Sequence, residues 1–194
     1  MANSALQTVS RSHEQPLYFL RQAALVVGAS LFIAVCAHIT IPLPFTPVPL
    51  TAQNFAVVLV GLLLGSRRGF AALALYLAEG AAGLPVFNPL GHGGIAQLLG
   101  PSGGYLMIYP LVAFIAGFVF EHGKRSFARA FTGALLAEVV LFMGGVGWLY
   151  IWTHSLAQAA YLGLYWFLAA EVLKIMLAAG IAARWGRSAK RTAA

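Results

Sequence analysis

The sequence predicts an all-α fold, a polytopic integral membrane protein with six transmembrane helices and both termini in the cytoplasm. Two observations indicate a membrane protein: 60% of the 194 residues are hydrophobic, and only 9% are charged. A soluble domain carries about 25% charged residues, so a water-soluble globular protein is excluded. The third observation is the position of the few basic residues along the chain, which predicts the orientation.

Six apolar stretches, each bounded by charge, proline or glycine, are expected to cross the bilayer. A hydrocarbon core about 30 Å thick requires roughly 20 mostly apolar residues in a helix. The stretches cover residues 22–41, 50–65, 69–83, 103–120, 127–148 and 159–183. The third is short and must be lengthened by its flanks or buried among its neighbours. The predicted organisation is a polar N-terminal tail at 1–21, a six-helix membrane domain at 22–183 and a basic C-terminal tail at 184–194.

Basic residues test this division independently, because short loops rich in Lys and Arg remain on the cytoplasmic side. With the N-terminus inside, eleven of the 12 Lys and Arg residues fall on cytoplasmic segments. They are Arg11, Arg21, Arg67, Arg68, Lys124, Arg125, Arg129, Arg184, Arg187, Lys190 and Arg191. The predicted outer segments, 42–49, 84–102 and 149–158, contain none. The net charge of +7 is therefore explained by membrane orientation, without nucleic-acid binding.

Four charged side chains fall within predicted spans, where each costs about 2.5 to 3.5 kcal/mol to insert and so needs a partner or a function. They are Glu79, Glu138, Glu171 and Lys174. Glu171 and Lys174 are three residues apart and therefore lie on one face of a helix. The pair is either a self-neutralising structural ion pair or a site that presents an acceptor and a cation to a solute from outside. For Glu79 and Glu138 a structural role is favoured.

The first two outer loops are uncharged and conformationally restricted. Four prolines in residues 42–49 prevent a helix there, and Gln53 is expected to project near the outer mouth of the second span. The second loop, 84–104, is rich in glycine and offers neutral hydrogen-bonding groups on Asn88, Gln97 and Ser102. These loops either simply cap the helix bundle or form a lid over a small-molecule pocket above the buried ion pair.

The sequence contains no pattern for nucleotide hydrolysis or metal binding. The motif G-x-x-x-x-G-K-[ST] is missing, so the chain is not expected to hydrolyse ATP itself. The 5 histidines fall singly in different segments, and the single cysteine, Cys36, excludes an intramolecular disulfide and a multi-cysteine metal site. We expect a binding protein without a metal or cofactor rather than an enzyme.

Five motifs, in order along most of the chain, resemble the BioY family, the biotin-specific substrate-binding (S) components of energy-coupling-factor (ECF) transporters. They are Pro47-Val-Pro-Leu-Thr-Ala-Gln53, Gly61-Leu-Leu-Leu-Gly65, Tyr76 through Gly83-Leu-Pro-Val-Phe87, Gly100-Pro-Ser-Gly-Gly-Tyr-Leu106 and Glu171-Val-Leu-Lys174. The chain departs from the usual family pattern at two positions. Ser102 stands where threonine is usual, and Glu171 stands where aspartate is usual.

The resemblance implies a protein of the bacterial inner membrane that captures biotin from outside and, with an ATPase module, delivers it to the cytoplasm. The residues suit that ligand: Glu171 is able to accept hydrogen bonds from the ureido N–H groups, and Lys174 is able to donate to the ureido oxygen or to the ligand carboxylate. Which end of biotin meets which residue does not follow from the sequence. The other expected substrate-binding residues are Gln53, Tyr76, Phe87, Asn88, Gln97, Gly103, Gly104 and Tyr105. Among them, Phe87 and Tyr76 are expected to form apolar walls.

The same resemblance implies protein partners, a transmembrane coupling protein and two cytoplasmic ATPase subunits. In such S components small residues on the first helix form the docking surface. Here Ala24 and Gly28 are spaced by four residues, as are Ser30 and Ala34. This spacing permits close approach between helices.

Two functions of other classes are also considered. An ion-coupled secondary carrier for a small vitamin-like solute would use Glu79, Glu138 and Glu171 as proton sites, although no inverted repeat is visible in the sequence. A rhomboid-like intramembrane serine protease would use Ser102 as its nucleophile, but the last span contains no histidine to serve as the base.

Overall fold

The computed structural model describes residues 2–191 of the chain and the side chains of residues 16–185. The helices are α1 (Ala2–His38), α2 (Gln53–Leu64), α3 (Ser66–Ala81), α4 (Gly94–Leu99), α5 (Gly103–Glu121), α6 (Phe127–Thr153), α7 (Leu156–Ala160), a π-helix (Tyr161–Tyr165) and α8 (Leu168–Arg191). Two short strands are β1 (Thr40–Ile41) and β2 (Leu50–Thr51). Most side chains of the predicted tails, 1–21 and 184–194, lie outside the described residues, so the boundaries of these tails stay predictions.

The described chain is predominantly helical, as expected, with three helices long and apolar enough to cross a membrane. They are Pro16–His38, Gly103–Glu121 and Phe127–Thr153. A fourth candidate is the bent pair Leu156–Tyr165 and Leu168–Trp185, whose halves meet at 46°. Helix α2 is apolar but has only 12 residues. By length and composition, therefore, three or four of the described helical segments qualify as spans.

Helix α5 lies at the centre of the bundle, packed against α2, α3 and α6, while α8 packs against α6 and α2. Glycines make the α2–α5 contact close. A Cβ at Gly61 would collide with the backbone of Ala113, and a Cβ at Gly117 would collide with the backbone at Ser66. Gly65 has φ of 87°, a left-handed conformation that allows α3 to follow α2 with a single residue between them. The backbone approach of α2 to α5 determines which face of α2 points into the bundle.

The last predicted span is broken, whereas the sequence predicts one continuous apolar stretch at 159–183. The segment consists of α7, the π-helix and the start of α8, with the 46° bend between the π-helix and α8. The π-helix contains Gly163, whose carbonyl accepts a hydrogen bond from Tyr105 Oη at 2.7 Å. π-Helical turns inside helices are frequent at functional sites. The break places Gly163 and Phe167 against the cavity described below.

The two loops predicted to be outer, at 42–49 and 84–104, are attached to the bundle by specific contacts. Strands β1 and β2 pair antiparallel and close the base of the proline-rich loop, which contains no helix. Within this loop, Thr46 Oγ1 donates to the carbonyl oxygen of Leu162 in the π-helix at 2.6 Å. In the second loop, the carbonyl oxygen of Gly100 accepts from Trp148 Nε1 at 2.8 Å. Both loops are therefore fastened to the part of the bundle formed by α6 and the π-helix.

Candidate functional site

Glu171 and Lys174 form an ion pair on the wall of a cavity beneath the outer loops. Lys174 Nζ lies 2.7 Å from Glu171 Oε1, as the spacing of three residues in one helix predicts. Lys174 Nζ also donates to the carbonyl oxygen of Thr51 at 2.7 Å, which connects α8 to β2, just before α2 begins. Glu171 is 6% exposed. At this low solvent exposure the Glu171 carboxylate needs Lys174 as its cation, because an unpaired buried charge costs several kcal/mol.

We call this space the ligand cavity, and it has a volume of about 50 Å³. Its walls come from the proline-rich loop, α2, the second outer loop, α5, α6 and the broken last span. They consist of Val48, Pro49, Thr51, Gln53, Asn54, Asn88, Ser102, Tyr105, Leu106, Tyr109, Leu141, Phe142, Gly163, Phe167, Glu171 and Lys174. The cavity thus combines apolar side chains with convergent polar groups, as small-molecule sites do.

A second space, the outer cavity, lies between the two outer loops and has a volume of about 360 Å³. Pro49, Asn88 and Ser102 line both cavities. Sites for drug-sized ligands measure roughly 300–1,000 Å³, which the ligand cavity alone does not reach. A bicyclic ligand with a side chain therefore requires the two cavities together, or a movement of the loops that separate them.

Asn54 joins the ion pair to a second carboxyl group. Its Nδ2 donates to Glu171 Oε2 at 2.6 Å and to Glu138 Oε1 at 2.5 Å, and all three side chains are buried. Asn54 Oδ1 and Glu138 Oε2 have no hydrogen-bond partner among the described residues. We call Asn54, Glu138, Glu171 and Lys174 the polar cluster. It draws its members from α2, α6 and α8.

The structure brings five of the ten predicted substrate-binding residues to the ligand cavity: Gln53, Asn88, Tyr105, Glu171 and Lys174. Tyr105 lies between two other helical segments, because a Cβ at Gly145 of α6 or at Gly163 would collide with its side chain. Its hydroxyl donates to the carbonyl oxygen of Gly163. The glycines therefore create the space that Tyr105 fills.

Tyr76 and Phe87 lie behind the ligand cavity and do not line it, contrary to the expectation that they form its apolar walls. Tyr76 is completely buried; its hydroxyl accepts from Gln53 Nε2 at 2.9 Å and donates to the carbonyl oxygen of Val86 at 3.0 Å. Phe87 packs edge-on against the Tyr76 ring, over Gly80. These two residues hold Gln53 in position.

Three further residues were expected to bind the substrate but do not line the ligand cavity: Gln97, Gly103 and Gly104. Gln97 lines the outer cavity, where its side chain accepts from Gly93 N at 3.1 Å and donates to the carbonyl oxygen of Asn88 at 3.3 Å. Gly103 and Gly104 are buried where added Cβ atoms would collide with Leu98 and Trp148. Their smallness lets α5 begin close beneath the second loop.

The four small residues predicted for partner docking on α1 separate onto two faces. Ala24 and Gly28 are exposed, and a Cβ added at Gly28 would meet nothing within 4 Å. Ser30 and Ala34 are buried inside the bundle, and Ser30 Oγ donates to Glu79 Oε2. The expectation was therefore wrong for Ser30 and Ala34 as exposed surface. A spacing of four residues identifies a common helix face but cannot identify which face packs inward.

Asn54, Tyr109 and Phe142 are cavity residues that the sequence analysis did not select. An asparagine inside an apolar stretch, next to Gln53, was the available signal, because a buried amide requires partners. Tyr109 and Phe142 resemble ordinary apolar core residues and carried no such signal. In the described part of the chain, no three His, Cys, Asp or Glu side chains converge in a way that could hold a metal ion.

The family profile described as the BioY family matches residues 5–191 of the chain. Among the relatives, two examples match over most of their length. A probable biotin transporter BioY of Pyrococcus horikoshii is 36% identical over 175 residues, which are 90% of this chain and 96% of the relative. The biotin transporter BioY of Thermotoga maritima is 39% identical over 162 residues, 82% of this chain and 94% of the relative.

A solved structure has the same fold. It is the crystal structure of the S-component for biotin from an ECF-type ABC transporter, with a TM-score of 0.79 and 26% sequence identity. The match covers 88% of this chain and 93% of the solved chain. Family profile, relatives and structure thus agree over nearly the whole length of the protein.

Proposed function

Because the chain belongs to the BioY family, we propose that it captures biotin from outside the membrane as the S component of an ECF-type transporter. The observation that carries this proposal is the ion pair of the buried Glu171 with the partly buried Lys174 on the wall of the ligand cavity. The relatives are biotin transporters, and the matched structure is an S-component for biotin. The role is binding and transport rather than catalysis, and biotin is the ligand, with no cofactor required.

The polar groups of the cavity fit the chemistry of biotin. Its ureido ring has two N–H donors and one carbonyl acceptor, and its side chain ends in a carboxylate. Glu171 accepts from the ureido N–H groups, and Lys174 donates to the ureido oxygen or to the carboxylate. Asn88, Gln53 and Tyr105 complete the polar wall. Gln97, Gly103, Gly104, Tyr76 and Phe87 act one layer further out, by holding the loops and Gln53 in position.

Calorimetry of the purified protein with biotin tests this function. We expect saturable binding of one biotin per chain, and a loss of at least 100-fold in affinity for Glu171→Ala, equivalent to about 2.7 kcal/mol. Glu121→Ala is a suitable control, because Glu121 lies at the far end of α5 and bonds to Ser66. Absence of biotin binding by the wild-type protein, or equally tight binding by Glu171→Ala, would contradict the proposal.

The proposal includes six spans with both termini in the cytoplasm of a bacterial inner membrane, and a membrane domain at 22–183. Its support is the absence of Lys and Arg from the three predicted outer segments. A Cys36→Ser protein has no cysteine, so single cysteines introduced at His92 and Ser126 report the side of each loop. An impermeant maleimide should label the cysteine at 92 in intact cells and the cysteine at 126 only after lysis. The opposite pattern would overturn the orientation.

The proposed partners are a transmembrane coupling protein and two cytoplasmic ATPase subunits. Their docking surface is the exposed face of α1 that carries Ala24 and Gly28, where small residues allow close helix packing.

Of the two other functions, the secondary carrier predicts biotin uptake that persists without any ATPase and collapses with the proton gradient. The serine protease predicts labelling of Ser102 by a fluorophosphonate. Neither function is favoured, because the relatives are biotin transporters.

A further inference from the structure

Glu138 is the member of the polar cluster that does not line the ligand cavity. It lies instead on a groove of about 700 Å³ between α6 and the last helical segments, which we call the lateral groove. The groove is lined almost entirely by apolar side chains, and Phe142 and Glu171 line both it and the ligand cavity. Any effect of Glu138 on a ligand must therefore pass through residues of the partition between these two spaces.

Asn54 provides the connection. The two hydrogen bonds of its amide nitrogen go to Glu138 Oε1 and Glu171 Oε2, so both N–H donors are used. Together they fix which way the amide faces, because a reversed amide would direct its oxygen at the Glu171 carboxylate. Asn54 lines the ligand cavity, and its Oδ1 is buried with no partner among the described residues. Through this amide, Glu138 is connected to the Glu171 carboxylate.

The charges of the cluster indicate how Glu138 does this. Lys174 is the cation paired with Glu171, and it makes its second bond to the carbonyl oxygen of Thr51. Glu138 Oε2 is buried and receives no hydrogen bond from the described residues. An ionised carboxylate in this position, with no ion pair to a cation and with one oxygen lacking a donor, would be strongly destabilised. The hydrogen bond to Asn54, rather than a negative charge, is thus the contribution that the geometry supports.

We infer that Glu138 is a positioning residue for the ligand site, acting as an uncharged hydrogen-bond acceptor that holds Asn54 and, through it, Glu171. The inference rests on the proposed function, because it assigns a role in biotin binding. Held in this way, the acceptor Glu171 lies beside one cationic donor, Lys174. These two groups complement a cyclic urea, which has N–H donors and a carbonyl. Sites are held to a geometry by such supporting hydrogen bonds.

The test compares Glu138→Gln with Glu138→Leu in the full-length purified protein, by titration calorimetry with biotin. Glutamine keeps an acceptor for Asn54 and leucine does not. We expect Glu138→Gln to bind biotin within about twofold of wild type. Glu138→Leu should bind about 10- to 100-fold more weakly, because a misplaced Glu171 loses charge-assisted hydrogen bonds to the ligand. Glu79→Leu is the matched control, because it removes a glutamate of α3 that bonds to Ser30.

Stoichiometry separates positioning from a structural role. Loss of folded protein lowers the number of sites per chain and leaves the affinity of the remaining sites unchanged, whereas mispositioning of Glu171 raises the dissociation constant at one site per chain. If Glu138→Leu does not fold, Glu138→Thr, which is too short to reach Asn54, takes its place in the same comparison. The inference is overturned if Glu138→Leu or Glu138→Thr binds biotin with wild-type affinity. It is also overturned if Glu138→Gln binds biotin as weakly as Glu138→Leu does. Failure of the wild-type protein to bind biotin overturns the proposed function instead.

Discussion

Two groups of helices in this protein hold glutamates in different surroundings. On one side, the polar cluster joins α2, α6 and α8 through several hydrogen bonds beside the ligand cavity. On the other, Glu79 of α3 accepts a hydrogen bond from Ser30 of α1, a contact that we call the α1–α3 seam. Neither residue of the seam lines the ligand cavity.

The comparison indicates which charged groups inside the helix bundle mark a binding site. An intramembrane carboxyl group requires a partner in either place, because its insertion is costly. At the seam, one hydroxyl from a neighbouring helix supplies that partner. In the polar cluster, groups from three helices are joined by hydrogen bonds beside the ligand cavity, and Asn54 Oδ1 is left unsatisfied. A network of polar groups beside a cavity, rather than a single hydrogen-bonded charge, is therefore the feature that we associate with a binding site.

The largest expected effect is on the cluster side, for Lys174→Met. This substitution leaves Glu171 without its cation and removes the bond to the carbonyl oxygen of Thr51. We expect biotin affinity to fall at least 100-fold, or about 2.7 kcal/mol, by titration calorimetry. Arg184→Met is the control on the same helix, since Arg184 is exposed and lies three turns further along. If both variants bind biotin with the same affinity, the polar cluster only holds helices together, as the α1–α3 seam does, and does not bind the ligand.

Gly28→Leu tests the outer face of α1, on the seam side. An added Cβ at this exposed position meets nothing within 4 Å, so the fold and the affinity for biotin should be preserved. Uptake into cells that contain the ATPase partners should fall about tenfold, because leucine prevents close helix approach. Gly147→Leu is a matched control, since a Cβ at Gly147 of α6 also meets nothing within 4 Å. Equal uptake by both variants would remove α1 as the docking surface.

Tyr105→Phe is expected to have an intermediate effect on the cluster side. It removes the hydroxyl that donates to the carbonyl oxygen of Gly163 and keeps the ring between Gly145 and Gly163. We expect about fivefold weaker biotin binding, equivalent to about 1 kcal/mol, since one neutral hydrogen bond is lost. Tyr150→Phe, at an exposed tyrosine of α6, should bind as the wild type does. Unchanged affinity of Tyr105→Phe would show that the π-helix contact does not shape the site.

Ser30→Ala, at the seam, should have the smallest effect on the ligand. It leaves Glu79 without its hydroxyl partner, so the free energy of unfolding should fall by about 1 to 2 kcal/mol, measured by denaturation in detergent. Biotin affinity should stay within about twofold of wild type, because the seam does not reach the ligand cavity. A large loss of affinity at unchanged site number would show that the seam and the polar cluster are coupled.

Helix content and the main polar pair were predictable because both depend on local sequence. Apolar stretches of sufficient length specify helices in a membrane, where the backbone must satisfy its own hydrogen bonds. A spacing of three residues brings Glu171 and Lys174 together in any α-helix, however that helix is packed. The family motifs added the identity of the ligand and directed attention to Gln53, Asn88 and Tyr105, which line the ligand cavity.

Tertiary packing decided the rest, because periodicity along one helix specifies a face but not the rotation of that face relative to other helices. The close contact at Gly61 sets α2 against α5, and Asn54 on α2 then meets carboxyl groups that lie 84 and 117 residues away in sequence. The rotation of α1 buries Ser30 and exposes Gly28. Distances of this kind depend on side chains of separate helices fitting together, and no local pattern encodes them.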